Sequence, residues 1–477
     1  MLFHVGGGNS VKKLKILAPR NYRPEVGYIS SVLFFEFLGL NFELLEGEGD
    51  EIVITLDHSN KILKIKTVLF SIPEKDWCSL DSLPKLPLER WDVKSDLPEA
   101  VVCDDYIPVI YGQKLQNGKY IQQDNEGITL GLDIFGSAFF MLTRYEEYVN
   151  KATDMYERFP ASESLALKEG FLLRPIVNEY VEILWAVMRR LWPGLTRNER
   201  VYRVIPTHDI DHPTVAYKSP WKRIIRGCID DIVKRKSVKI VLKKILAKLG
   251  RLELDPAYTF DFITRTSEKR GVVSEFYFMT GHTDPKFDTF YDFDSEHVEE
   301  ALKMIYARGH RIGLHASSGT YKDLNKAKME FEKLILKMKK LGIKQSSVGN
   351  RQHVLRFEVP TTWRILDQVG VDYDSTMTYA QHVGFRTGTC YEYTVYDLEQ
   401  RETLKIKERP LMVMDGTLFA EKYMNLDYEE ALNYIEILAK RVKMFNGNFV
   451  LLWHNTMLMT DAQKHFYERV LDTIINV

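Results

Sequence analysis

The stretch that decides the fold is VYRVIPTHDIDHP, residues 201–213. An apolar run ends in two carboxylates, Asp209 and Asp211, flanked by His208 and His212 and closed by Pro213. If the run is extended, alternate side chains share a face. Thr207, Asp209 and Asp211 then lie on one side of the strand, and His208 and Ile210 on the other. Two residues of strand rise put the aspartate Cα atoms roughly 6–7 Å apart. That spacing is awkward for symmetric chelation of one ion. It suits unequal work, with one carboxylate on a divalent metal and the other acting as general base on an activated water. The plainer alternatives are a helix cap and a solvated turn residue.

Working outward, residues 199–477 alternate short apolar runs with helical patterns. YRVIPT, SEFYFMT, RIGLHA, QSSVGN, VDYDST and FVLLWHN read as strands, separated by helical stretches such as SEHVEEALKMIYARG and NKAKMEFEKLILKMKKLG. This alternation predicts an α/β fold of parallel βα units. Polar clusters close several different strands: THDID, GLHASS, GNRQH and LLWHN. A (β/α) barrel, distorted or incomplete, collects such strand ends on one face, and no GxGxxG loop argues for a dinucleotide-binding sheet. His315 ends one strand and is a good ligand for a borderline divalent ion. His454 ends another and has the chemistry of a general acid for a leaving amine. Arg351 could orient a carboxylate base or bind a substrate anion, and His353 could share its face.

Length and composition bound the rest. At 477 residues, two to three domains are expected. Residues 1–196 read as a smaller α/β domain without a ligand cluster, with strands at DEIVITLD, KILKIKTVLF and EAVVCDDYIPVIYG. Its helices fall at DIFGSAFFMLTRYEEYV and RPIVNEYVEILWAVMRRLW. The net charge of −1 gives no general pull toward nucleic acid. Four scattered cysteines without a CxxC pair fit a reducing compartment. No apolar run is long enough to span a membrane, and the N-terminal MLFHVGGGNSVKKLKIL lacks the apolar core of a signal peptide. A cytoplasmic protein is expected, peripheral at the inner membrane face if it touches membrane at all.

The order of these motifs resembles the polysaccharide deacetylase superfamily, carbohydrate esterases that remove N-acetyl groups from amino sugars. THDID is similar to that family's paired-aspartate motif. The resemblance implies Asp209 as base and Asp211 as metal ligand, with EFYFMTG as the next strand. GHRIGLHASSG matches the second motif as far as His315, but Gly319 stands where the family has a second histidine. Arg351 resembles the arginine that tethers the base, VDYDST (with Asp374 on the substrate side) the segment after the next helix, and LLWHN the last motif, which implies His454 as acid. GFRTGTC resembles a loop over the sugar pocket, with Arg386 reaching a phosphate or carboxylate, and His353 joins the same substrate-binding group. Taken with the long N-terminal region, the motifs look like a bacterial subgroup tied to surface-polysaccharide synthesis. The implied function is metal-dependent N-deacylation of a nucleotide- or lipid-linked amino sugar, with zinc as the expected ion. Because Gly319 cannot bind metal, His212 is a further candidate ligand beside Asp211 and His315.

Two other readings compete. A DxD glycosyltransferase would use Asp209 and Asp211 on a sugar nucleotide, but needs no histidines at later strand ends. A metal-free carbohydrate-binding relative would explain Gly319. Residues 218–251 form a separate insertion with twelve Lys or Arg against two Asp, and apolar residues between them at helical spacing. This basic amphipathic segment is expected either to pack on the domain, to bind a pyrophosphate, or to contact anionic membrane.

Overall fold

The structure, a computed structural model, describes residues 13–233 and 237–477. The first twelve residues of the N-terminal stretch and residues 234–236 of the basic insertion lie outside the described residues. The chain forms two compact units, one running through Tyr145 and resuming at Ile176–Glu199, the other comprising Glu146–Pro175 and Arg200–Val477.

In the first unit, alternation of buried and half-buried residues builds a six-stranded mixed sheet. Its strands are β1 (Leu14–Ala18), β2 (Phe42–Glu46), β3 (Glu51–Leu56), β4 (Ile62–Lys66), β7 (Ile121–Gln123) and β8 (Gly127–Leu130), in the order β2-β1-β3-β4-β8-β7. A separate hairpin pairs β5 (Glu89–Asp92) with β6 (Tyr106–Val109), so the expected strand pair over 99–112 is a single strand. The helix expected over 133–149 breaks at Arg144, whose φ is +55°. The apolar stretch 28–42 is spread over a helix, a π-helical turn and the start of β2. No helix among the described residues is long and apolar enough to cross a membrane.

The second unit carries the parallel sheet. Its strands are β9 (Arg203–Ile210), β10 (Glu275–Phe278), β11 (Arg311–Ala316), β12 (Gly349–Gln352), β13 (Tyr373–Asp374), β14 (Tyr393–Asp397), β15 (Glu402–Glu408), β16 (Val413–Met414) and β17 (Asn448–Leu452). They lie in the order β14-β15-β13-β12-β11-β10-β9-β17-β16, all parallel except the antiparallel edge strand β14. Five of the six strands read from the sequence are present where expected, the sixth (QSSVGN) starts only at Gly349 and runs on to Gln352, and helices Glu296–Ala307 and Leu324–Lys340 fall where the periodicity put them. The sheet is open, as an incomplete barrel would be: among the described residues no ladder joins its two edges. The two edges are the antiparallel strand β14 and the two-residue strand β16.

The segment Glu146–Pro175 is fastened to this second unit by a buried ion pair. Arg386 donates from Nε to Glu147 Oε1 at 2.8 Å and from Nη2 to Oε2 at 2.6 Å, and from Nη1 to the Thr378 carbonyl at 2.8 Å. Both side chains are almost inaccessible. Arg386, read from the sequence as a substrate contact, is therefore committed to Glu147 and absent from the cavity described below. Replacing it by methionine deprives a buried carboxylate of its guanidinium. Arg386→Met is expected to cost about 3–5 kcal/mol, read as a lowered urea midpoint. A loss below about 1 kcal/mol would mean that the pair does not hold the segment.

Candidate functional site

Register brings the polar strand ends to one level. Ile210, Phe278, Leu314 and Asn350 are ladder neighbours across β9, β10, β11 and β12, so Asp211, His315 and Arg351 occupy the next row. On the other side of β9, Leu452 pairs with Thr207, which carries His454 to the level of Asp209. β17 and β12 are four positions apart, roughly 19 Å in a flat sheet. Yet His454 Nε2 and His353 Nε2 each lie 3.8 Å from an oxygen of Asp211. The sheet therefore curls around the aspartates without closing.

The two aspartates have different surroundings. Asp209 is buried and accepts a hydrogen bond from Arg351 Nη1 on Oδ1 at 3.0 Å; its Oδ2 is 3.8 Å from His315 Nε2. The same Nη1 donates to Thr207 Oγ1 at 2.7 Å, so Thr207 and Asp209 do share a face. His208 points the other way, with Nδ1 2.7 Å from the Trp453 carbonyl and the ring against Tyr467. Burial pushes the His208 pKa down to about 3, which makes it a neutral packing residue. Asp211 faces three imidazoles. Burial alone would raise its pKa, but His315, His353 and His454 hold the carboxyl well below the usual range.

A cation fits between Asp211, His315 and His353, whose ligand atoms all lie within 4.8 Å of one another. His315 Nδ1 is 2.9 Å from the Arg351 carbonyl, and a carbonyl can only accept. His353 Nδ1 is 2.9 Å from Asp288 Oδ1, a carboxylate oxygen. Each ring thus donates from Nδ1, and in its neutral form turns the Nε2 lone pair toward the site. His315 Nε2 and Asp211 Oδ1 are buried, face each other at 3.2 Å, and make no hydrogen bond. A proton could satisfy one pair of these acceptors, whereas a metal ion satisfies all three. Two imidazole nitrogens and one carboxylate are a suitable donor set for zinc and neighbouring divalent ions.

The third candidate donor is thus His353 from the end of β12, which the sequence reading placed among substrate contacts. His212 is not in the cluster; its carbonyl accepts from Asn455 Nδ2. Gly319 is explained by space: a Cβ there would lie 2.7 Å from Thr283 Oγ1 and 3.0 Å from Thr283 Cβ. Asp374, expected near substrate, pairs in register with Asn350, on the opposite face of β12 from Arg351. It is fully buried, accepts from Asn350 Nδ2 and Thr376, and does not line the cavity.

Two further groups escaped the sequence reading. Asp415, after the two-residue strand β16, lies 2.6 Å from His454 Nδ1 through Oδ1 and accepts the His454 amide on Oδ2 at 2.7 Å. Burial would lower the His454 pKa, but Asp415, with Asp211 and Asp209 beyond it, raises it to about 10. Asp288, which orients His353, sits in DPKFDTFYDFD, where nothing local distinguishes it from its acidic neighbours. The cavity over these groups has a volume of about 190 Å³ and a rim of Tyr156, Arg158, Lys422 and Tyr423. Lys422 Nζ donates to Tyr156 OH at 2.9 Å, and Arg158 is held by Asp154.

Residues 14–193 match a family of unknown function (DUF7033). No curated protein matches the chain. Among solved structures, the chain is similar to a protein from Mycobacterium smegmatis assigned as a polysaccharide deacetylase, at 14% identity and a TM-score of 0.37, over 58% of this chain and 85% of that one. A second, from Pseudomonas aeruginosa and assigned likewise, gives 12% identity and a TM-score of 0.34, over 57% and 83%. The Puue allantoinase gives 10% identity and a TM-score of 0.34, over 59% and 85%.

The ligand assignment has a direct test in zinc titration calorimetry with metal analysis of the purified protein. His315→Ala and His353→Ala should each abolish high-affinity zinc binding. Asp288→Asn should weaken it by roughly tenfold to a hundredfold, and Gly319→His should not strengthen it. Undiminished affinity in His353→Ala would remove His353 from the ligand set.

Proposed function

We propose that the second unit is a metal-dependent N-deacylase acting on an amino sugar. The observation that carries this reading is the convergence, around one small cavity, of a three-residue metal cluster, an arginine-tethered carboxylate and a carboxylate-backed imidazole. Asp211, His315 and His353 would hold a divalent ion, which would supply Lewis acidity to an amide carbonyl and to a water. Asp209 takes the proton of the attacking water on Oδ2, the oxygen that Arg351 leaves free. Arg351 fixes the direction of this carboxylate through its hydrogen bond to Oδ1. His454, kept protonated by Asp415, donates from Nε2 to the departing nitrogen as the C–N bond breaks and the new C–O bond forms. Zinc is the expected ion on donor chemistry.

The rim supports the substrate class. Tyr156 and Tyr423 line the cavity with Lys422 Nζ over both rings, and among the described residues no carboxylate lies in ion-pairing distance of Lys422. That charge suits the phosphate of a nucleotide- or lipid-linked amino sugar, an intracellular intermediate of surface-polysaccharide synthesis. His353 also weakens the case for a metal-free carbohydrate-binding relative, because it supplies the donor that Gly319 lacks.

With N-acetylated nucleotide sugars or polyprenyl-linked sugars, the metal-loaded protein should release acetate. Asp209→Asn should lower kcat by about a hundredfold to ten-thousandfold while zinc stays bound. Asp415→Asn should lower kcat with little change in KM. Formation of a glycosidic bond from sugar nucleotide, without acylate release, would instead establish a glycosyltransferase.

A further inference from the structure

The insertion between β9 and β10 is a helical hairpin whose outer surface is apolar. Its base is closed by Asp255, which accepts the backbone amides of Val215, Ala216 and Tyr217. Helices Trp221–Val233 and Val238–Lys248 pack against each other, with Ala216, Ile224 and Ala247 buried between them and Cys228 against that cluster. A small core of this kind needs only one stripe on each helix. Each helix carries a second stripe that none of the described residues covers. On the first it is Trp221, Ile225, Ile229 and Ile232, at spacings of four, four and three. On the second and its C-terminal end it is Val238, Leu242, Ile245 and Leu249. These eight side chains are 37–74% exposed. They make up a third of the large exposed apolar side chains among the described residues, within 29 positions.

The same segment is strongly basic. Residues 218–251 hold twelve Lys or Arg and two Asp, in a chain whose net charge is −1. One of the two acids, Asp231, is paired inside the hairpin with Lys244 at 2.5 Å. On the first helix, Lys222 and Arg226 are exposed and follow the apolar stripe around the helix at 100° per residue.

We infer that this hairpin docks the protein on an anionic lipid bilayer, with the two apolar stripes in the headgroup and upper acyl region and the flanking cations on lipid phosphates. Both halves of the surface are needed to select this partner. A polyanion such as nucleic acid would use the cations but gains nothing from a row of aliphatic side chains. A second copy of the chain would bury the aliphatic rows but would bring two faces of the same strong positive charge together. An anionic bilayer accommodates both, since aliphatic burial and phosphate attraction add. Trp221 at the start of the first helix suits the interfacial zone. The inference does not depend on the hydrolytic reading of the cavity.

The test is sedimentation of the full-length protein with vesicles of phosphatidylcholine alone and of phosphatidylcholine with about one quarter phosphatidylglycerol. The wild type should bind the anionic vesicles and partition at least about tenfold more weakly to the neutral ones. Ile225→Glu with Leu242→Glu, and separately Lys222→Glu with Arg226→Glu, should each lower anionic partitioning by at least about tenfold. All four positions are solvent-facing, so far-UV circular dichroism should be unchanged. Equal binding to neutral vesicles, wild-type binding by the apolar variant, or binding to duplex DNA in place of vesicles would overturn the proposal. So would a wild-type dimer that the apolar variant splits with no change in vesicle partitioning.

Discussion

A guanidinium with no access to water has to find its hydration among fixed partners, and Arg351 finds it on three strands. Its Nε donates to the Ser375 carbonyl and its Nη2 to Ser375 Oγ, beyond β13. Its Nη1 reaches Thr207 and Asp209 on β9, and its plane lies over the Tyr277 ring of β10, 4.7 Å from the centroid. β12 and β9 are separated by two strands, so this one side chain ties parts of the sheet that no ladder connects. Thr207 and Ser375 extend the tie by donating to the carbonyls of Leu451 and Arg409. A neutral residue at 351 would leave Asp209 buried without a counter-charge. A lysine would supply the charge but not the fork that holds two neighbouring acceptors and Ser375 together.

This arrangement separates the two aspartates more sharply than their spacing does. Asp209 is satisfied on one oxygen by a permanent cation, so the other oxygen can accept a proton without losing its anchor. Asp211 has no arginine and is surrounded by imidazoles whose charge depends on what they bind. The carboxylate that needs a constant state has a constant partner.

How far the sequence carried this is a matter of which contacts are local. Alternation along β9 put Thr207, Asp209 and Asp211 on one face, and the apolar runs before His315 and His454 placed those residues at strand ends; both are properties of a single strand. Asp415 and Asp288 could not be found that way. Asp415 follows a strand of two residues, too short for any periodic signal, and Asp288 lies in a loop with several equivalent acids. Arg386 misled because its role was read from the resemblance of GFRTGTC to a loop over the sugar pocket, whereas its partner Glu147 lies 239 positions away. Asp374 misled for a related reason. Its segment was recognised, but the face it presents is set by register with Asn350 in a neighbouring strand.

The glycine at 319 and the orientation of His353 have one physical cause, the loop that follows β10. Thr283 fills the space beside Gly319, accepting the Gly319 amide on Oγ1 at 2.8 Å and bonding Ser317 Oγ at 2.7 Å. The same loop folds back so that Asp288 Oδ2 accepts the amides of Thr283 and Asp284, while Oδ1 accepts the amide of Ser318 and faces His353 Nδ1. Burial would raise the Asp288 pKa, but His353 and these amides hold it well down, so the carboxylate stays charged against the ring it orients. A side chain at 319 would push Thr283 out and disturb the carboxylate that aims His353. The loop packed on this strand end leaves no room for a side chain at 319 and orients His353, so that Asp211, His315 and His353 stand as three candidate donors.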